Sequence, residues 1–177
     1  MKKKCLIIAN GDFPGIDPIR YFQKSGFSTI VCADGGVNAL PDWNLIPDYI
    51  IGDLDSAGKD VLEYYSDKSQ IIKIERQDDT DVEKCLKYVI ELGFTDCLMT
   101  GVTGNRLDHS FANIGIGMRF SAKINLFIHH RDSIMFFLSD VFEFTAEIGE
   151  SVSVFGFDDK TLFTSEGLKY KLENIPL

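Results

Sequence analysis

A chain of 177 residues that is 45% hydrophobic and 25% charged, with five prolines, has the balance of a folded protein with a real core. It is too short for a large multidomain assembly. Its 18 Lys and Arg against 27 Asp and Glu leave a formal charge of -9, which argues against diffuse attraction to nucleic acid or anionic lipid as the main function. A phosphate-bearing ligand would need metal ions, backbone amides or a few placed cations to offset that charge.

The basic start MKKK leads into an apolar run that ends at Asn10 and Asp12, too soon for a membrane span or a signal-peptide core. CLIIA (5–9) followed by NGDFPG reads as a buried strand and its turn. Asp17 before Pro18 predicts a helix capped by Asp17, with Ile19 and Phe22 leading to a stop at Gly26. STIVCADGG, DYIIGDLDS and TDCLMTGVTGNR repeat the pattern of an apolar segment delivering a polar, glycine-rich turn. In an open α/β sheet, ligands bind at such turns, beyond the carboxyl ends of the strands.

Thr80, with Glu83 three residues later and Val82, Leu86, Val89 and Ile90 on a helical period, predicts a capping box and a helix. A further helix is predicted over 107–118, with Leu107, Phe111, Ile114 and Met118 on one face. Gly115 and Gly117 each weaken it by about 1 kcal/mol relative to alanine. After Lys123 the segments INLFIHH, SIMFFLS, VFEFTAE and SVSVFGF predict antiparallel strands in a second, small layer, with the boundary between residues 123 and 133. Cys5, Cys32, Cys85 and Cys97 are widely spaced without a C-x-x-C pair, so reduced thiols in a cytoplasmic protein are expected, not a zinc site or a disulfide scaffold.

Four turns carry candidate chemistry. In GDLDS (52–56), Asp53 and Asp55 are two apart, so on an extended backbone both point to one side and can share a hard cation; a solvated turn with Ser56 capping a helix is the competing reading. In RQDDTDVEK, Asp78, Asp79 and Asp81 crowd a helix start, where capping electrostatics explains one or two acids; Asp78 or Asp81 joining Asp53 and Asp55 around Mg²⁺ would relieve their repulsion. In GVTGNRLDH the glycines admit backbone amides to an anion and Arg106 offers a planar fork for phosphate, while His109 can serve a phosphate, Asp108 or a purely structural bond, supported by Asn113 one turn later. In ADGGVN, Asp34 and Asn38 flank Gly35 and Gly36, which suit either a ligand lying against backbone or a plain tight turn. Adjacent His129 and His130 would point to opposite faces of a strand, against a shared metal. Dinucleotide and Walker A glycine patterns are absent, and no catalytic triad is anchored by spacing.

Taken in order, ADGGVN (33–38), GDLDS (52–56), QDDTDVEK (77–84) and TGNRLDHSFAN (103–113), with EGLKYKLEN (166–174), resemble the thiamine pyrophosphokinase family. The resemblance implies an α/β fold, a mostly parallel sheet with flanking helices forming an ATP-binding domain over 1–128. A small antiparallel β-sandwich over 129–177 would follow, serving thiamine binding and dimerisation. It implies a cytoplasmic homodimer that uses Mg²⁺ and moves the terminal pyrophosphate of ATP to the hydroxyl of thiamine, without nucleic-acid or membrane partners.

By the same resemblance, Asp53, Asp55 and Asp81 are catalytic metal ligands with Asp78 beside them, and Gln77 contacts thiamine or the phosphate chain. Asp34, Gly35 and Asn38 belong to the nucleotide side, and Arg106, Asp108, His109 and Asn113 to the ATP and phosphate block. Relatives often carry lysine at the position of Asp79, and they continue past that of Asn174 through a Ser-Asn-Glu segment that helps to hold thiamine. This sequence stops at Leu177, so the second domain is expected to be incomplete. Two other functions share these residues: pyrophosphoryl transfer to another hydroxymethyl acceptor such as a pterin, and binding of nucleotide or thiamine without turnover.

Overall fold

The computed structural model describes residues 2–76 and 78–177. Seven strands form one sheet: β1 (Lys4–Ile8), β2 (Thr29–Ala33), β3 (Tyr49–Gly52), β4 (Gln70–Lys73), β5 (Asp96–Thr100), β6 (Asn125–His130) and β7 (Ser133–Phe136). Their order is β4-β3-β2-β1-β5-β6-β7, parallel throughout except for β7, which pairs antiparallel with β6. Helices α1 (Ile16–Lys24), α2 (Lys59–Tyr65), α3 (Asp81–Glu91) and α4 (Leu107–Phe120) cover the two faces.

The unbroken apolar run of β1 is what a doubly covered strand requires, because alternate side chains enter different cores. Cys5 and Ile7 pack with Leu86 and Val89 of α3 and Ile116 of α4. Leu6 and Ile8 pack with Ile19 and Phe22 of α1 and with Tyr65 of α2. The chain builds outward from β1 through β2, β3 and β4, then returns to the other side of β1 with β5. The carboxyl ends of β1 and β5 therefore flank the switch point where a crevice opens in such sheets.

Several local expectations are corrected. Helix α1 begins at Ile16 after Gly15, whose φ is 83°, so Gly15 and not Asp17 is the N-cap residue and Asp17 lies in the first turn. Gly26, at φ 97°, does end the helix, its amide bonding the Gln23 carbonyl at 3.1 Å. Thr80 caps α3 by accepting from the Glu83 amide at 3.2 Å. The carboxylate of Glu83, however, is engaged by Arg119 at 2.7 Å and Lys87 at 3.1 Å.

Helix α4 turns a different face inward from the one its apolar spacing predicts: Ile116, Gly117 and Phe120 are buried, while Leu107 and Phe111 are 81% and 73% exposed. Gly117 fits this orientation. A β-carbon there would stand 2.5 Å from the ring of Phe137, which occupies the space a side chain would need.

INLFIHH and SIMFFLS supply β6 and β7, so they extend the first sheet instead of opening a second layer. After β5 and the crossover through α4, the next apolar segment pairs parallel beside β5. The chain divides into compact units at Asp140 and Val141. The later unit carries a small antiparallel two-stranded sheet, β8 (Leu162–Thr164) with β9 (Glu173–Pro176). VFEFTAE and SVSVFGF form no strand, and Val141, Phe155 and Phe157 are exposed. Cys5, Cys32, Cys85 and Cys97 are free and buried, and burial pushes the Cys32 thiol up. Among the described residues no helix is long and apolar enough to cross a membrane.

Candidate active site

Parallel register creates the acidic group. Ala33 pairs with Ile51 across β2 and β3, so the next residues, Asp34 and Gly52, emerge side by side at the carboxyl ends of the two strands. Asp53 follows immediately, and Asp81 enters from the first turn of α3. Oxygens of Asp34, Asp53 and Asp81 lie within 4.8 Å of one another. Gly52 leaves the necessary space, because a β-carbon there would be 2.7 Å from that of Asp34 and 3.2 Å from Asp81 Oδ1.

Asp34 is 3% exposed. Its Oδ2 accepts from the Ser56 amide at 3.2 Å, but its Oδ1 is buried without a partner among the described residues. Burial raises its carboxyl above the ordinary value of 3.8, and the charges of Asp81 and Asp53 add to the rise against the lowering effect of Ser56. A buried, partly unsatisfied carboxylate beside two others is the donor set of a hard divalent cation, which would supply the missing partner and offset the repulsion. The residues present therefore fit Mg²⁺.

The structure does not bring Asp55 and Asp78 into this group. Leu54 has φ 66°, so the backbone is not extended between Asp53 and Asp55, and the geometry that would align their side chains is lost. Asp55 is exposed and accepts from the Ser56 hydroxyl at 3.0 Å. Asp78 is exposed in the approach to α3. Asp79 turns away, held by Arg76 and by Lys87 at 2.6 Å, and the bond from Lys87 keeps its carboxyl below the usual range. Gln77 lies outside the described residues.

Asn38 ties the site's turns together: its amide donates to the Ser56 carbonyl at 2.9 Å and its Oδ1 accepts from the Gly58 amide at 2.8 Å. Gly35 is buried against Asn10, whose Nδ2 would meet a β-carbon there at 2.5 Å. Across the switch point the turns after β1 and β5 are zipped by Gly11 N–H to the Gly101 carbonyl at 2.6 Å and Asp12 N–H to the Thr103 carbonyl at 2.8 Å. Gly101, at φ 66°, is required here, since a β-carbon would be 2.3 Å from the Ala9 carbonyl. Asn113 fixes the same turn by donating to the Val102 carbonyl at 2.7 Å.

Together these turns and the N-termini of α3 and α4 line a cavity of about 760 Å³, whose lining includes Asp34, Asp81, Arg106, Asp108 and His109. Arg106 is exposed and closes on Asp108 through Nε at 2.9 Å, which holds the Asp108 carboxyl well below the usual range. His109 is exposed, its Nε2 4.0 Å from Asp108.

Sequence reasoning assigned Asp34 to the nucleotide side only, and gave no role to Asn10 or Lys84. The available signals were the polar turn directly after CLIIA for Asn10 and the i,i+3 spacing from Asp81 for Lys84.

The sequence model of the family described as "Thiamin pyrophosphokinase, catalytic domain" matches residues 22–128. The chain is 32% identical to thiamine pyrophosphokinase 2 of Oryza sativa subsp. japonica over 143 residues, covering 68% of this chain and 52% of that protein. It is 38% identical over 96 residues to thiamine pyrophosphokinase of Saccharomyces cerevisiae, covering 49% and 30%. The solved thiamin pyrophosphokinase from Candida albicans superposes with a TM-score of 0.62 at 25% identity, over 72% of this chain and 57% of that one. The chain thus spans about half the length of the curated plant relatives it matches.

Proposed function

Because the chain belongs to the thiamin pyrophosphokinase catalytic-domain family, we propose that it moves pyrophosphate from ATP to the hydroxyl of thiamine, giving thiamine pyrophosphate and AMP. The supporting observation in the structure is that Asp34 and Asp81, which group with Asp53, line the same cavity as the Arg106 turn. Acids alone would repel a polyphosphate, and a lone arginine would not select its reactive end. Lining one cavity, they suit a metal-complexed triphosphate.

In this reading Asp34, Asp53 and Asp81 hold Mg²⁺. When bound, the ion offsets phosphate charge during attack and departure. Arg106 exchanges Asp108 for phosphate oxygens, and backbone amides of the turn after β5 orient the chain. The thiamine hydroxyl attacks the β-phosphorus in line and gives up its proton to solvent, and the bond from that phosphorus to the bridging oxygen of the α-phosphate breaks, so AMP leaves with that oxygen. No covalent enzyme intermediate is needed. The same proposal includes a cytoplasmic homodimer and a thiamine-binding role for the later unit. The test is direct: ATP and thiamine with Mg²⁺ should yield AMP and thiamine pyrophosphate in equal amounts. AMP release no faster with thiamine than without it would overturn the reading.

A further inference from the structure

Lys84 stands on α3 one turn beyond Asp81, and its side chain is only 2% exposed. Its ammonium donates to Asp81 Oδ1 at 2.9 Å and lies 3.9 Å from Asp53 Oδ2. Desolvating an ammonium is costly unless anions surround it, and these two carboxylates are the compensation. The neighbouring cations on the helices are engaged elsewhere: Lys87 binds Asp79 and Glu83, and Arg119 binds Glu83.

The arrangement has a consequence for charge. Asp34, Asp53 and Asp81 carry three negative charges, and Lys84 offsets one, leaving a formal charge of -2 for a divalent cation to balance. Lys84 satisfies Oδ1 of Asp81 and approaches Asp53, whereas the buried Oδ1 of Asp34 has no partner among the described residues. The built-in cation therefore serves one side of the acidic group and leaves the other side short of positive charge.

We propose that Lys84 is a permanent counter-ion of the acidic group. It is a positioning residue that draws Asp53 and Asp81 together before any metal arrives. By cancelling one negative charge, it also keeps the affinity for a bare divalent cation low, so that the cation enters with the polyphosphate. The inference rests on reading the three aspartates as metal ligands, and it adds a reason why the group can be assembled in advance.

The test measures Mn²⁺ binding to the protein without nucleotide, by paramagnetic resonance or calorimetry, and melting in chelator and in saturating Mn²⁺. Lys84→Gln keeps a donor near Asp81 but removes the charge; Lys84→Arg keeps the charge. Removing a unit charge about 4 Å from the ligands should tighten Mn²⁺ binding by roughly tenfold or more. The Gln variant should melt lower than wild type in chelator and regain the loss in Mn²⁺. The Arg variant should not gain affinity. If the Gln variant does not fold in chelator, Lys84→Met prepared in Mn²⁺ carries the same expectation.

Unchanged or weaker Mn²⁺ binding in the charge-removed variants, with a melting loss that Mn²⁺ does not restore, would make Lys84 a packing residue and overturn the proposal. Failure of wild type and variants to bind Mn²⁺ at all, even with ATP added, would instead remove the metal reading and this inference with it.

Discussion

A β-carbon placed on Gly52 would stand 2.7 Å from the β-carbon of Asp34, so the last residue of β3 is bare because the acidic group fills that volume. Gly52 does not have a positive φ, which makes alanine acceptable to the backbone and the conflict purely steric. Gly52→Ala should cost about 1–3 kcal/mol of stability as Asp34 is pushed aside. It should also lower turnover by an order of magnitude or more, by misplacing a metal ligand. Urea unfolding and AMP release check the two halves; wild-type turnover would show that Asp34 is not needed where it stands.

Asp34 itself gives a pH prediction. Its folded carboxyl is raised, chiefly by burial and then by Asp81 and Asp53, above the ordinary 3.8. Well below that value both folded and unfolded chains are protonated and the group has no effect. As pH rises, the unfolded carboxyl ionises first, so stability falls until the folded pKa is passed and stays reduced at neutral pH. Asparagine tolerates the φ of 42° at this position and can still accept from the Ser56 amide. Asp34→Asn should therefore be more stable than wild type in chelator at about pH 7, with the difference shrinking toward about pH 4. It should also lose stabilisation by Mg²⁺. Denaturation midpoints across that range decide it.

Short apolar runs ending in glycine and aspartate marked the parallel strands, because a doubly covered strand has to be apolar at both alternations, as Leu6 and Ile7 are. Thr80 was legible as a cap because the bond to the Glu83 amide is local.

The membership of the acidic group was not local. Asp34 reaches Asp53 through the pairing of Ala33 with Ile51, a register no spacing encodes. Asp55 departs because Leu54 takes a left-handed turn that a bulky side chain gives no warning of. The inward face of α4 was likewise not local, since Gly117 on it meets Phe137, twenty residues away in sequence.

Asn38 offers a test of how the turns support the group. Its side chain makes two bonds to the backbone of 56–58, and Ser56 in that segment holds Asp34. Asn38→Ala removes both bonds and should cost about 1–3 kcal/mol. Loosening Ser56 should also weaken divalent-cation binding several-fold, whereas Asn38→Asp, which keeps the acceptor for Gly58, should lose less stability. A calorimetric titration with Mn²⁺ beside a denaturant series separates the effects. Full metal affinity in the alanine variant would mean that the turn holds its shape without Asn38.

Arg106 provides the complementary test on the phosphate side. It donates to Asp108 through Nε and a terminal nitrogen, and both partners are exposed, at 68% and 63%. An exposed pair contributes little to folding, so Arg106→Ala should leave the melting temperature essentially unchanged. The same two-donor fork matches phosphate oxygens, and the Asp108 carboxylate stands where such an anion would be received. The bond from Arg106 keeps Asp108 ionised through the neutral range, so the exchange of carboxylate for phosphate should not vary with pH there on account of Asp108.

Loss of a charge-assisted contact of about 1.5–3 kcal/mol should raise the KM for ATP by roughly tenfold or more. Arg106→Lys should fall between alanine and wild type, because a lysine retains the charge and lacks the fork. Steady-state kinetics in ATP at saturating thiamine reads this directly. A variant that melts early with an unaltered KM would assign Arg106 to the architecture of α4 instead of to the nucleotide.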